Sequence, residues 1–292
     1  MSTKKPELLA AYWTIAGDVY PGAPTEVSPF SLQARAEAAG NAGWTGMGLV
    51  HADLQANVAR LGHAGMRRVL EDSGIEHVEV EFLADWFVDP ADPRRKASDQ
   101  VRRDLLESAA ELGARNLKVC GAMFDESPPD IPMLQDAFAG LCEQARAIGT
   151  NVIIEMMPFT NIRNIDDAVA IVAGANQPNG GLLIDVWHVA RGGMSYSEIA
   201  KIPARYLMGV ELDDAAARVV GTLFEDTRFQ RLLCGEGAFD VPAFLKAIHA
   251  AGFDAPYHGV EIISETFRRQ SLDVMARTAY DTAIRQFEIA AA

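Results

Sequence analysis

Residues 151–155, Asn-Val-Ile-Ile-Glu155, make a short apolar run closed by a carboxylate. The same pattern returns as Gly181-Leu-Leu-Ile-Asp185, Tyr206-Leu-Met-Gly-Val-Glu211 and His258-Gly-Val-Glu261. Short runs rich in Val, Ile and Leu read as strands covered on both faces, as in a parallel sheet. Because side chains alternate along a strand, Ile153 shares a face with Glu155, Leu183 with Asp185, Gly209 with Glu211 and Gly259 with Glu261. All four carboxylates can therefore point the same way from one end of one sheet. A buried carboxylate costs several kcal/mol of desolvation unless something positive meets it, so the coincidence points to a shared cation.

Working outward, strand-like and helix-like patterns alternate along the whole chain. Strands are expected to end near Ala16, Val50, Phe82, Cys120, Glu155, Asp185, Leu212 and Ile262. Amphipathic stretches lie between them. Ser28-Pro29 reads as an N-cap followed by proline, and Asn164 with Asp167, and Asp240 before Val-Pro-Ala-Phe-Leu, mark two further helix starts. Gly40, Gly74, Gly113, Gly149 and Gly252 fall where helices should stop. Eight βα units in a chain near the usual barrel length of about 250 residues predict an α/β fold, a (β/α)₈ TIM barrel, with an open doubly wound sheet as the alternative. No Pro/Gly/Ser-rich linker divides the chain, so residues 1–292 are expected to form one domain. Its C-terminal helix, about 264–289, would pack on the barrel or against a partner in a homo-oligomer.

The formal charge of −14 disfavours a polyanion partner, and no run of about 18 apolar residues is available to span a membrane. The N-terminus, Met-Ser-Thr-Lys-Lys-Pro-Glu, lacks an apolar signal core, so a cytoplasmic protein without nucleic-acid or membrane partners is expected. Cys120, Cys142 and Cys234 are odd in number and in no metal-binding spacing, which predicts free thiols. Neither a phosphate-binding P-loop nor a dinucleotide fingerprint is present.

An oxygen-only set of Glu155, Asp185, Glu211 and Glu261 suits one divalent ion, Mn²⁺ or Mg²⁺. Co²⁺ and Zn²⁺ are alternatives, although zinc ordinarily brings more His or Cys. Other candidates for the mouth of the barrel are His51 at the end of the second strand, Glu81 on the third and Lys118 on the fourth. Arg218, seven residues past Glu211, is a candidate for an anionic substrate group. Aromatic residues after strand ends (Trp13, Tyr20, Trp86, Phe87, Phe124, Phe159 and Trp187) sit where loops roof an active site, and Trp187 is a candidate substrate contact.

Glu155-Met-Met-Pro, Asp185-Val-Trp-His188 with Arg191-Gly-Gly, Glu211-Leu-Asp-Asp214-Ala and Gly235-Glu-Gly237 together resemble the sugar phosphate isomerase/epimerase superfamily, the xylose isomerase-like barrels. That group includes ketose 3-epimerases, inosose dehydratases, 3-dehydroshikimate dehydratases and endonuclease IV. The resemblance implies that Glu155, Asp185 and Glu261 are metal ligands, that Glu155 and Glu261 exchange protons with substrate, and that His188 binds a substrate oxygen or shuttles its proton. Relatives usually carry His or Gln where this chain has Glu211, which makes the site more acidic. The implied reaction is isomerisation or epimerisation of a small sugar, cyclitol or keto acid through a metal-stabilised enediolate. Loss of water from the same intermediate, as in a dehydratase or lyase, is the alternative. A nuclease would require more histidine and a basic face, and a binding-only barrel would have no reason to keep four buried acids.

Overall fold

The computed structural model describes residues 5–292. Residues 1–4, the start of the segment expected to lack a signal core, lie outside the described residues. Eight parallel strands close a barrel: β1 (Glu7–Ala10), β2 (Gly46–Val50), β3 (His77–Leu83), β4 (Asn116–Cys120), β5 (Asn151–Glu155), β6 (Gly180–Asp185), β7 (Leu207–Leu212) and, as the eighth, β10 (Tyr257–Val260). The seam is made by β1 and β10, with Leu9 opposite Gly259. Two-residue strands β8 (Asp214–Ala215) and β9 (Arg231–Leu232) pair antiparallel above the barrel. The expected (β/α)₈ architecture is thus present.

Alternation divides each strand between two environments. Val80, Leu117, Val152, Ile154, Leu182, Ile184, Val210 and Val260 belong to one continuous apolar core. This core fills the layer between the sheet and the helices α1 (Leu32–Ala42), α2 (His51–Asp72), α3 (Arg95–Leu112), α4 (Ile131–Arg146) and α5 (Ile165–Ala175), then α6 (Val186–Arg191), α7 (Leu223–Phe229), α8 (Val241–Ala250) and α9 (Leu272–Ala291). The intervening strand residues Glu79, Glu81, Lys118, Glu155 and Glu211 are buried on the axial side. The axis is polar, and the oil lies around it.

Several boundaries differ from the sequence reading. The run from Ala10 to Ala16 is apolar enough to extend the first strand, but β1 stops at Ala10 and Tyr12–Thr14 form a 3₁₀ turn. Tyr12, Trp13, Ala16 and Val19 pack instead with Val50 and Ile263 over the end of the barrel. The third strand runs one residue further, to Leu83, and the eighth stops at Val260. The cap of α1 is Ser31, whose side chain accepts from Ala34 N, because Ser28 is committed to Ala16 O and Asp53. Gly40 lies inside α1, where a Cβ would come 2.0 Å from Ser73 O, and Gly43 at φ 106° ends the helix. Asn164, Asp240 and Gly113 cap α5, α8 and α3 as expected. The last helix starts at Leu272 rather than near 264. It packs on α1 and α8, with Trp44 Nε1 donating to Ala276 O at 2.8 Å. Cys120, Cys142 and Cys234 are free and buried. No helix among the described residues is long and apolar enough to cross a membrane.

Outside the site, His258 faces the apolar layer between Phe253, Phe287 and His249. Burial, then the neighbouring His249, push its pKa down from 6.5 to about 3. A depressed folded value means that the unfolded chain takes up the proton first. Stability contributed by neutral His258 is therefore complete above pH 6.5 and is lost as pH falls towards 3, by about 1.4 kcal/mol per pH unit. Urea unfolding of His258→Leu across this window should show a shallower acid loss than the parent, and parallel curves would refute the assignment.

Candidate metal centre and active-site cavity

The end of β5 places Glu155 in the barrel mouth, and the end of β6 places Asp185 beside it. Asp185 also caps α6: its Oδ1 accepts from Trp187 N at 2.6 Å and His188 N at 3.3 Å. That cap fixes the first turn and aims the imidazole, so that His188 Nε2 lies 3.0 Å from Glu155 Oε1. The Asp-x-x-His spacing works because a strand-end carboxylate starts a helix whose third residue returns to the neighbouring strand.

Two obligate cations stand among the carboxylates. Lys118, fully buried on β4, donates to Glu211 and lies 3.1 Å from Glu81 Oε2 and 3.7 Å from Glu79 Oε2. Glu79 is held in turn by Tyr257 OH at 2.8 Å and Asn116 Nδ2 at 2.6 Å. Gly259 makes room for this packing, since a Cβ there would sit 2.7 Å from Glu211 Cγ. Arg231, on β9, pairs with Asp213, with Asp185 Oδ2 at 2.7 Å and with Glu261 Oε2 at 3.2 Å. Its other edge donates to Thr227 Oγ1 at 2.9 and 3.2 Å. The loop that delivers it is pinned by Asp214, whose carboxylate accepts from Gly235 N, Gly237 N and Phe239 N.

Seven buried carboxylates (Glu79, Glu81, Glu155, Asp185, Glu211, Asp213 and Glu261) thus face two obligate cations. The excess shows in their protonation. Burial, opposed by Lys118, still leaves the Glu211 carboxyl well above its usual range, and burial opposed by Arg231 leaves Asp213 likewise. Burial raises Glu81, and it pushes Glu261 up to about 8 against Arg231 and Lys118. Asp185 alone of this group shifts down: burial would raise it, but Arg231, His188 and its backbone donors outweigh that. Lys118 is held charged despite burial by Glu211, Glu81 and Glu79.

One oxygen each of Glu155, Asp185, Glu211 and Glu261 lies within 4.8 Å of all the others, and Glu155, Asp185 and His188 form an overlapping group. Glu211 Oε2, Glu81 Oε1 and Asp213 Oδ1 are buried with no hydrogen-bond partner. Convergent hard oxygens, surplus negative charge and orphaned acceptors fit a divalent cation. The sequence reading had one shared cation for four acids. The structure also gives each acid a protein partner: His188 for Glu155, Lys118 for Glu211, and Arg231 for Asp185 and Glu261.

A cavity of about 270 Å³ opens above this floor. Glu155, Glu261, His188, Glu81 and His51 line it, with His51 Nε2 2.9 Å from Asp104 Oδ2. Asp185, Glu211 and Lys118 lie behind that lining. Trp187 is fully buried, stacks under Arg231 at 5.4 Å and donates to Asp226, so it does not line the cavity. Arg218 is exposed and lies outside it. The arginines that do line it are Arg228 and Arg231, neither singled out in the sequence. The signal for Arg231 is faint: one charge in the otherwise apolar segment Arg-Leu-Leu-Cys before Gly235. Among the loop aromatics, Trp13 and Phe159 reach the cavity wall, whereas Trp86 packs on Phe138 beneath it.

Known proteins resemble this chain in sequence and in fold. Over 245 residues the chain is 25% identical to a 3-dehydroshikimate dehydratase of Pseudomonas aeruginosa, covering 82% of this chain and 37% of that protein. It is 25% identical over 146 residues to an inosose isomerase of Bacillus licheniformis, 49% of this chain and 51% of that protein. The chain therefore spans about a third to a half of the curated relatives it matches. The crystal structure of a protein named IOLI "with a binding zinc atom" superposes with a TM-score of 0.84 at 17% identity, over 97% of this chain and 98% of the other, and shares its fold. Residues 36–288 match the family model described as xylose isomerase-like TIM barrel, and the chain belongs to that family.

Proposed function

We propose that this protein is a divalent-cation-dependent enzyme that moves a proton at the carbon beside a carbonyl in a small hydroxy-ketone, as an isomerase or epimerase. The observation that carries the reading is the convergence of Glu155, Asp185, Glu211 and Glu261, with an orphaned Glu211 oxygen, under a cavity of substrate size. These four residues would hold the cation. The oxygen set suits Mn²⁺ or Mg²⁺, and inclusion of His188 Nε2 extends it to Co²⁺ or Zn²⁺. A bound divalent cation supplies charge stabilisation for the substrate oxygens as the proton leaves.

The chain's own residues do the rest. Glu155, which lines the cavity with its Oε1 in contact with His188 Nε2, accepts the proton from carbon, and the imidazole orients that carboxylate. Glu261, the residue after the eighth strand, faces the same cavity and returns a proton from another side. Arg231 holds Glu261 and Asp185 in place. Apolar walls from Trp13, Phe159 and Phe224 exclude water from the exposed carbanion-like centre. Loss of a β-hydroxyl instead of reprotonation would make the enzyme a dehydratase. That second reading is favoured by the match to 3-dehydroshikimate dehydratase, which spans most of this chain.

Elemental mass spectrometry on protein purified without chelator should find about one divalent ion per chain, lost in Glu155→Gln/Glu261→Gln. Because several of the acids are raised and protonated when cation-free, Mn²⁺ uptake should release protons and its affinity should rise with pH. Protein that takes up no added Mn²⁺ would overturn the reading. Product mass then separates isomerisation, which leaves it unchanged, from loss of water.

A further inference from the structure

We infer that the substrate carries a carboxylate, and that Arg228 on α7 binds it; this rests on the proposed function of the same cavity. The charged side chains lining the cavity are nearly all committed. Arg231 meets three carboxylates, His188 meets Glu155, His51 meets Asp104, and Glu81 meets Lys118. Arg228 differs. It lines the cavity half-buried, no carboxylate among the described residues pairs with it, and its buried Nε has no hydrogen-bond partner.

Its position is nevertheless built. The guanidinium stacks at 4.7 Å on Phe224, 5.0 Å on Tyr20 and 5.1 Å on Phe229. Aromatic faces hold a guanidinium in place while leaving its in-plane N–H edge free, and that edge matches a carboxylate in two parallel hydrogen bonds. Of the acids on the same helix, Asp226 is taken by Arg191 and Trp187, and Glu225 is exposed and accepts from Thr222 N and Oγ1 in the capping box, so that Arg228 acts on it as a nearby charge and forms no salt bridge with it. An arginine so desolvated on one edge and unpaired recovers its lost solvation from a ligand anion.

Two observations favour a carboxylate over a phosphate ester. Arg228 is the one lining arginine without a carboxylate partner among the described residues, whereas a dianion calls for several free donors, and the acids of the floor, with Glu26 held on Gly22 N, would repel a second negative charge. The apolar lining of Trp13, Phe82, Phe159 and Phe224 fits the hydrocarbon face of a small ring. The ligand is therefore a compact hydroxylated ring or chain with an acid at one end and the reacting ketone at the other.

The test uses three probes on the full chain with Mn²⁺ present: shikimate, its uncharged methyl ester and inorganic phosphate, titrated calorimetrically into the parent, Arg228→Gln and Arg228→Lys. The parent should bind the carboxylate about tenfold to a hundredfold more tightly than the ester. Arg228→Gln should erase that preference without weakening the ester, and Arg228→Lys should restore only part of it. Equal binding of acid and ester, a preference that persists in Arg228→Gln, binding of neither ring, or Arg228-dependent preference for phosphate would each overturn the carboxylate assignment. Manganese content measured on the same samples keeps the outcomes apart: retained metal with no carboxylate preference removes this inference and leaves the proposed function standing.

Discussion

Lys118→Met should lower the unfolding free energy by about 3–5 kcal/mol, the cost typical of removing one partner from a buried ion pair. Lys118 is 0% exposed and is the positive centre for Glu211, Glu81 and Glu79. Methionine fills the same space but leaves three axial acids without it. The loss should grow with pH. Burial already raises Glu211 and Glu81, and the ammonium opposes that rise; without it their folded values climb further. A carboxyl whose folded value lies above its unfolded one binds protons in the native state, so its stabilisation is present at acid pH and lost as pH rises through the folded value. Urea unfolding at about pH 5 and about pH 8 should therefore show the larger deficit at the higher pH. Adding Glu211→Gln to Lys118→Met should recover part of it. A deficit under about 1 kcal/mol, or one independent of pH, would show that the axial acids do not depend on this lysine.

Glu155→Gln should reduce turnover by about 10²–10⁴-fold, the range for removing a positioned general base. The fold should survive, because glutamine keeps the shape and its carbonyl oxygen can still accept from His188 Nε2. Glu155 is also a candidate ligand, so loss of activity alone does not separate its two roles. Glu155→Asp keeps the charge but draws the oxygen back by one methylene, and metal content separates the roles: turnover lower by at least about tenfold with metal retained assigns the proton transfer, and metal lost with it assigns ligation. The readouts are α-proton exchange of candidate hydroxy-ketones in heavy water, metal content and thermal unfolding. Undiminished exchange in Glu155→Gln would remove Glu155 from the proton transfer and leave Glu261 as the remaining base.

The parts legible in the sequence were those governed by local rules. Period-two alternation placed Glu155, Asp185, Glu211 and Glu261 on one side of their strands. It also places Lys118 and Glu81 on the axial side of theirs, although only the structure shows that they meet. The helix starts at Asn164 and Asp240 were readable because a cap is a contact across three residues. What was hidden depends on partners distant in sequence. Arg231 reaches Asp185 only through the fold-back of β9 on β8, which no periodicity announces. Arg218 has the right charge at a plausible distance from Glu211, yet the same excursion carries it outside and brings Arg228 in ten residues later. The segment from Ala10 to Ala16 misled for the opposite reason: apolar composition served a cover over the barrel end rather than a strand.

The seam between β1 and β10 also bears on how the chain is made. Leu9 cannot find Gly259 until roughly 250 residues have been synthesised, so during translation the first strand waits with an unpaired edge. Such long-range pairing slows folding, since loop closure must precede the contacts that reward it. The barrel of a nascent chain therefore cannot close until its last strand emerges, and Glu261 is the last of the four acids to be synthesised. The centre is completed by the same event that closes the barrel.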